Sequence, residues 1–150
     1  MTKPQFLVAI QIILFALLFL SLLIYVPQSG TGLRIAGLLI AVMGGLLGLL
    51  AIRHHTQGIN VVPLPKTSAP LVTTGLYARV RHPIYTGVML GGFGLAIAHG
   101  GIVPLVVALA FVPFFTYKSM YEEGLLRRVY PAYEQYMTYT GRFLPPLRRQ

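Results

Sequence analysis

The chain has no cysteine among its 150 residues. That excludes disulfides, thiolate metal sites and a cysteine nucleophile. It has no aspartate either, and its only glutamates are Glu122, Glu123 and Glu134. Charged residues make up 10% of the chain and hydrophobic residues 55%, with a mean hydropathy of +0.71. A soluble domain of this length needs a more polar surface, so the composition points to a membrane protein with one domain. The charge that remains is one-sided, with 12 Lys and Arg against 3 acids and a formal net charge of +9. These cations are spread through several loops. That fits cytoplasmic loops facing anionic lipid head groups, and argues against nucleic acid as a partner.

What the chain does have is long apolar runs. "FLVAIQIILFALLFLSLLIYV" occupies residues 6–26, long enough to cross about 30 Å of hydrocarbon at about 1.5 Å per residue. No small-residue cleavage pattern follows it, so it is expected to be a retained transmembrane helix. Further apolar runs cover 35–52, 83–98 and 102–117. The expected fold is all-α: a polytopic membrane protein with about four transmembrane helices and a cytoplasmic helical segment over 118–150. The polar loop 53–82 carries Pro63, Pro65 and Pro70 and cannot be one regular element. His99, Gly100 and Gly101 alone separate the third and fourth runs, which predicts a tight hairpin. Pro104 suits a first helical turn, Pro113 predicts a kink, and Pro131 is expected to end one amphipathic helix and open a short second one.

With four spans, Lys3, Arg53, Lys66, Arg79, Arg81, Lys118, Arg127, Arg128, Arg142, Arg148 and Arg149 fall on one side and only Arg34 on the other. The positive-inside rule then puts both termini and the loop 53–82, with any site built on it, in the cytoplasm. Gly44 and Gly48, and Gly87 and Gly91, have the spacing that lets membrane helices approach closely. Gly91, Gly92 and Gly94 together are a second candidate, as space for a bound molecule.

The doorway to the third run is "ARVRHPIYTGV", residues 78–88. Pro83 fits a helix's first turn, and the residue before a proline is pushed out of the α region. His82 should therefore sit at the cytoplasmic mouth, with Tyr85 on the same face and Arg81 adding positive charge. Arg and Tyr at a membrane interface are also ordinary anchors. Glu122 and Glu123 lie beyond the fourth run, and Lys118 stands four residues before Glu122, where a solvated salt bridge is the simplest expectation. The tight hairpin brings the two clusters together, so they should share one pocket. The adjacent pair His54–His55 does not face one way on a helix and is no metal site.

"LVTTGLYARVRHPIYTG" (71–87), then "EEGLL", "YEQY" (133–136) and "RFLP" (142–145), in that order, resemble the integral-membrane methyltransferases. That superfamily contains the isoprenylcysteine carboxyl methyltransferases and the phospholipid methyltransferases. The resemblance covers roughly residues 60–145 and implies S-adenosyl-L-methionine as cofactor. Carried over, it implies that Tyr77, His82, Pro83, Ile84 and Tyr85 line the cofactor pocket and that Leu71 and Val72 contribute backbone groups. Glu122 or Glu123 would take the cofactor's polar end, and Glu122 fits under either alignment of the acidic pair. In the isoprenylcysteine branch a basic residue four before the acidic position is associated with the substrate carboxylate, and Lys118 stands there. An ionised carboxylate acceptor needs a cation, for which Lys118, Arg81 and Arg127 are the candidates, whereas an amine acceptor needs a base. The reading is a membrane methyltransferase acting on a lipophilic small molecule or lipidated substrate among membrane lipids, by carboxyl O-methylation. Phospholipid N-methylation is the alternative, and a non-catalytic anionic-lipid-binding protein is the rival of another class.

Overall fold

The computed structural model describes residues 2–54 and 70–146. His55, Pro63, Pro65, Lys66, Arg148 and Arg149 lie outside the described residues. The described chain is helical: α1 (Lys3–Ile24), α2 (Thr31–His54), a short 3-10 turn (Gly75–Ala78), α3 (Pro83–His99), α4 (Ile102–Val129) and α5 (Tyr133–Tyr139). By length and composition α1, α2 and α4 can each cross a membrane, and α3 is a shorter apolar helix of 17 residues. Large apolar side chains such as Ile12, Phe19, Leu39 and Met43 point outward along α1 and α2. That is the surface a bilayer, rather than water, would solvate.

The helices do not pack in chain order. α3 sits between α2 and α4, and α1 closes mainly against α4. The α2–α3 contact is backbone against backbone. A Cβ on Gly37 would lie 2.3 Å from Ala98 N, on Gly44 2.4 Å from Gly91 N, on Gly87 2.6 Å from Gly44 O, and on Gly94 2.3 Å from Ala41 N. Small residues thus line a continuous antiparallel seam, which permits close Cα–H···O approach of about 0.5–1 kcal/mol each. Of the three glycines that could clear room for a bound molecule, packing fills the space at Gly92 and Gly94, whereas a Cβ on Gly91 would meet nothing within 4 Å. Gly94 faces Ala41, and a Cβ on Gly92 would meet the Phe111 ring at 2.8 Å. Leu18 of α1, Met89 and Ala96 of α3, and Ala108, Phe111 and Phe115 of α4 form the buried core.

The hairpin between α3 and α4 is as tight as its residues require. Gly100 takes φ 76°, the left-handed conformation that ends a helix without a Cβ clash, and its N–H bonds Ala96 O at 2.9 Å. Pro104 lies in the first turn of α4, and Pro113 lies inside α4 without ending it. One expectation is corrected. The change to amphipathic sequence at Lys118 is no helix boundary, and α4 runs unbroken for 28 residues to Val129. Beyond Pro131, α5 turns back. Residues 79–82 then pair in parallel with 141–142, through Arg81 N to Gly141 O at 2.8 Å, Gly141 N to Arg79 O at 3.0 Å and His82 N to Arg142 O at 3.0 Å.

Candidate functional site

Pro83 opens α3, and His82, its N-cap, holds the non-helical φ −125° and ψ 58°. The His82 ring stacks on the Tyr85 ring, with centroids 5.4 Å apart and planes 2° from parallel. The α3–α4 hairpin delivers the two adjacent glutamates to this stack. The His82 ring nitrogens face them: Nε2 lies 3.2 Å from Glu123 Oε1, and Nδ1 lies 3.5 Å from Glu122 Oε2.

The two carboxylates are treated differently. Glu123, 3% exposed, accepts from Arg81 Nε at Oε1 (2.8 Å) and from Arg142 at both oxygens, at Oε2 from Nη2 (2.8 Å) and at Oε1 from Nε (3.4 Å). Both arginines come from the paired strands of backbone, so Glu123 ties the C-terminal segment to the start of α3. Arg81 also donates to the carbonyls of Thr140 and Met137 near the end of α5. Glu122, 17% exposed, instead accepts from the Tyr85 hydroxyl and faces His82. Its carboxylate borders the stacked rings, with a way out to solvent.

The C-terminal segment forms a wall of the site. The Tyr136 hydroxyl donates to Tyr77 O at 2.5 Å, Thr86 Oγ1 donates to Phe143 O at 2.8 Å, and the Phe143 ring lies 6.3 Å from the His82 ring. Gly141 is required at the bend, because a Cβ there would collide with Leu144 O. Tyr77 is buried in the 3-10 turn; burial, and then the charge of Glu122, push its hydroxyl up to about 12, so it stays neutral. Burial likewise raises Tyr133 and Tyr136 above the usual phenol range. The turn itself depends on Gly75, at φ 61°, whose missing side chain admits the His54 ring from the end of α2.

Lys118 lies one helical turn before Glu122, toward the middle of α4, and is 2% exposed. It makes no solvated salt bridge. Its Nζ donates to Gln11 Oε1 at 2.5 Å and sits 5.3 Å from the centre of the Tyr85 ring. The structure therefore gathers Tyr77, His82, Pro83, Tyr85, Lys118, Glu122 and Glu123 into one region. Ile84 is half-buried in the first turn of α3, and Leu71 and Val72 are half-buried in the irregular segment ahead of Gly75. Arg81 is engaged by Glu123 and the end of α5, and Arg127 is exposed, 3.4 Å from Met137 Sδ. Sequence reasoning gave no role to Arg142 or Gln11. The "RFLP" motif carried Arg142, and a lone amide in the first apolar run was the signal for Gln11.

Residues 33–133 match the phospholipid methyltransferase family. The chain belongs to that family. Its all-helical bundle and its apolar helices accord with membrane methyltransferases, the wider group the family is part of. The chain is 35% identical over 83 residues to the nickel-cobalt-cadmium resistance protein NccN of Alcaligenes xylosoxydans xylosoxydans, covering 55% of this chain and 39% of that protein. It is 36% identical over 105 residues to the cobalt-zinc-cadmium resistance protein CzcN of Cupriavidus metallidurans, covering 67% of this chain and 49% of that protein. The aligned region thus spans less than half the length of each relative.

The family implies S-adenosylmethionine, and the donor set suits it. Glu122 offers a carboxylate, free of a direct guanidinium contact among the described ion pairs, to a cationic or hydroxyl-bearing group. The stacked His82 and Tyr85 rings lie beside it. Tyr77, His82, Tyr85 and Glu122 are the residues that would hold the cofactor.

Proposed function

We propose that this chain is an S-adenosylmethionine-dependent membrane methyltransferase whose acceptor is a carboxylate on a lipophilic molecule. The observation that carries the reading is the buried Lys118 ammonium, one turn from Glu122 toward the middle of α4 and over the Tyr85 ring. The cofactor supplies a methyl group already activated on a sulfonium. The protein's part is positioning and electrostatics. Glu122, oriented by Tyr85 and His82, anchors the cofactor at the mouth. Glu123, with Arg81 and Arg142, holds the C-terminal wall in place. Lys118 attracts an ionised carboxylate, which needs no base, and a charge pair about 4 Å apart near a protein surface is worth roughly 4 kcal/mol before desolvation. Of Lys118, Arg81 and Arg127, Lys118 is the cation whose placement supports this role. An apolar tail would lie between helices, among lipid.

Phospholipid N-methylation is the second reading, favoured by the family's own description. Metal resistance, the role in both relatives' names, enters as a context in which a methylated membrane component would act. The test is methyl-labelled S-adenosylmethionine supplied to membranes containing the protein, with N-acetyl-S-farnesylcysteine or phosphatidylethanolamine as acceptor. The expected product is a methyl ester, which releases volatile methanol in mild alkali. Label that survives alkali transfers the function to N-methylation. Failure of the folded protein to bind S-adenosylhomocysteine would remove the enzyme reading altogether.

A further inference from the structure

We propose that Gln11 on α1 is a positioning residue of the site, aiming the Lys118 ammonium at the anionic group of the acceptor. The proposal rests on the reading of Lys118 given above. α1 lies wholly outside residues 33–133, the part of the chain that matches the family. It is otherwise an apolar helix, and Gln11 is the strongest hydrogen-bonding side chain in the middle of it. Its amide oxygen accepts from Lys118 Nζ at 2.5 Å, across 107 residues of chain.

An ammonium carries three donors. One goes to Gln11, and the π face of Tyr85 lies 5.3 Å from the nitrogen. Gln11 is neutral, so the contact fixes the direction of the ammonium without cancelling its charge. Glu122 is one turn away and acts on Lys118 electrostatically. With a flexible four-carbon stem, an unheld lysine would swing to that carboxylate. Holding the ammonium at α1 keeps it separate from Glu122 and toward the bilayer, where a lipophilic acceptor arrives. α1 thus supports the acceptor side of the site through Lys118 of α4, while the start of α3 and Glu122 form the cofactor side.

An interhelical hydrogen bond with a merely structural role would change stability and nothing else. The test therefore measures ligand discrimination. The full-length protein in detergent, with S-adenosylhomocysteine bound, is titrated with N-acetyl-S-farnesylcysteine and with its methyl ester. Wild type should bind the free acid at least about ten-fold more tightly, as a charge-assisted contact provides. Lys118→Met should abolish this preference. Gln11→Leu should reduce it by about ten-fold. Gln11→Glu keeps a partner for Lys118 and so protects the fold, but it neutralises the ammonium and should also abolish the preference. Affinity for S-adenosylhomocysteine should stay within about two-fold of wild type in both Gln11 variants. If Lys118→Met loses the preference while both Gln11 variants keep it, the role of Gln11 is overturned and the reading of Lys118 stands. If wild type shows no preference for the acid, the reading of Lys118 falls, and this proposal with it.

Discussion

Glu122 and Glu123 are neighbours in the chain with different partners. Glu123 is buried between two guanidiniums, so removing it leaves Arg81 and Arg142 without their counter-charge. Glu123→Ala should destabilise the protein by roughly 2–4 kcal/mol, the lower part of the range reflecting the partial exposure of Arg142. Glu122 shares its carboxylate with a hydroxyl and a ring nitrogen and keeps access to solvent. Glu122→Ala should leave the melting temperature within a few degrees of wild type and weaken S-adenosylhomocysteine binding by about 1–3 kcal/mol. Thermal melts and calorimetry on both variants separate the two roles. The reverse pattern, with Glu123 governing affinity and Glu122 stability, would refute the assignment.

The element that decides the bundle is the α2–α3 seam. Gly44 touches the backbone of α3, whereas a Cβ on Gly45, the next residue, would meet nothing within 4 Å. Gly44→Leu and Gly45→Leu change helix propensity by the same amount, since both replace glycine by leucine in a helix interior. Packing alone distinguishes them. Gly44→Leu should abolish the monodisperse peak in detergent size-exclusion chromatography, and Gly45→Leu should preserve it. Equal behaviour of the two variants would mean that the seam does not hold the helices together.

For the whole molecule, the expectation that both termini and the site are cytoplasmic rests on the eleven Lys and Arg on one side against Arg34 on the other. The fold gives the bundle two chemically different ends. The ionic cluster of Arg81, Glu123 and Arg142 sits at one end of the bundle. At the other end the turn after α1 docks on α3, through Gln28 N to His99 O at 2.8 Å and His99 Nε2 to Tyr25 O at 2.8 Å. Reporter fusions after Gln150 and within residues 27–32 should report opposite sides, the first cytoplasmic. A shared side would refute the four-span arrangement.

The sequence by itself determined what local rules control. The apolar runs, the hairpin at Gly100, the non-helical His82 before Pro83 and the glycine spacing of the seam all depend on residues within a few positions of one another. A helix also continues through a change of surroundings if its own hydrogen bonds continue, and for that reason the polarity break at Lys118 misplaced the end of α4. Tertiary structure alone decided which carboxylate is clamped by guanidiniums and which is not, because that turns on Arg81, 42 residues from Glu123. It likewise decided that Lys118 turns to Gln11 instead of Glu122. Spacing along a helix shows which neighbours are within reach, but the partner a buried charge takes is set by whichever element packs against it, and here that element is α1.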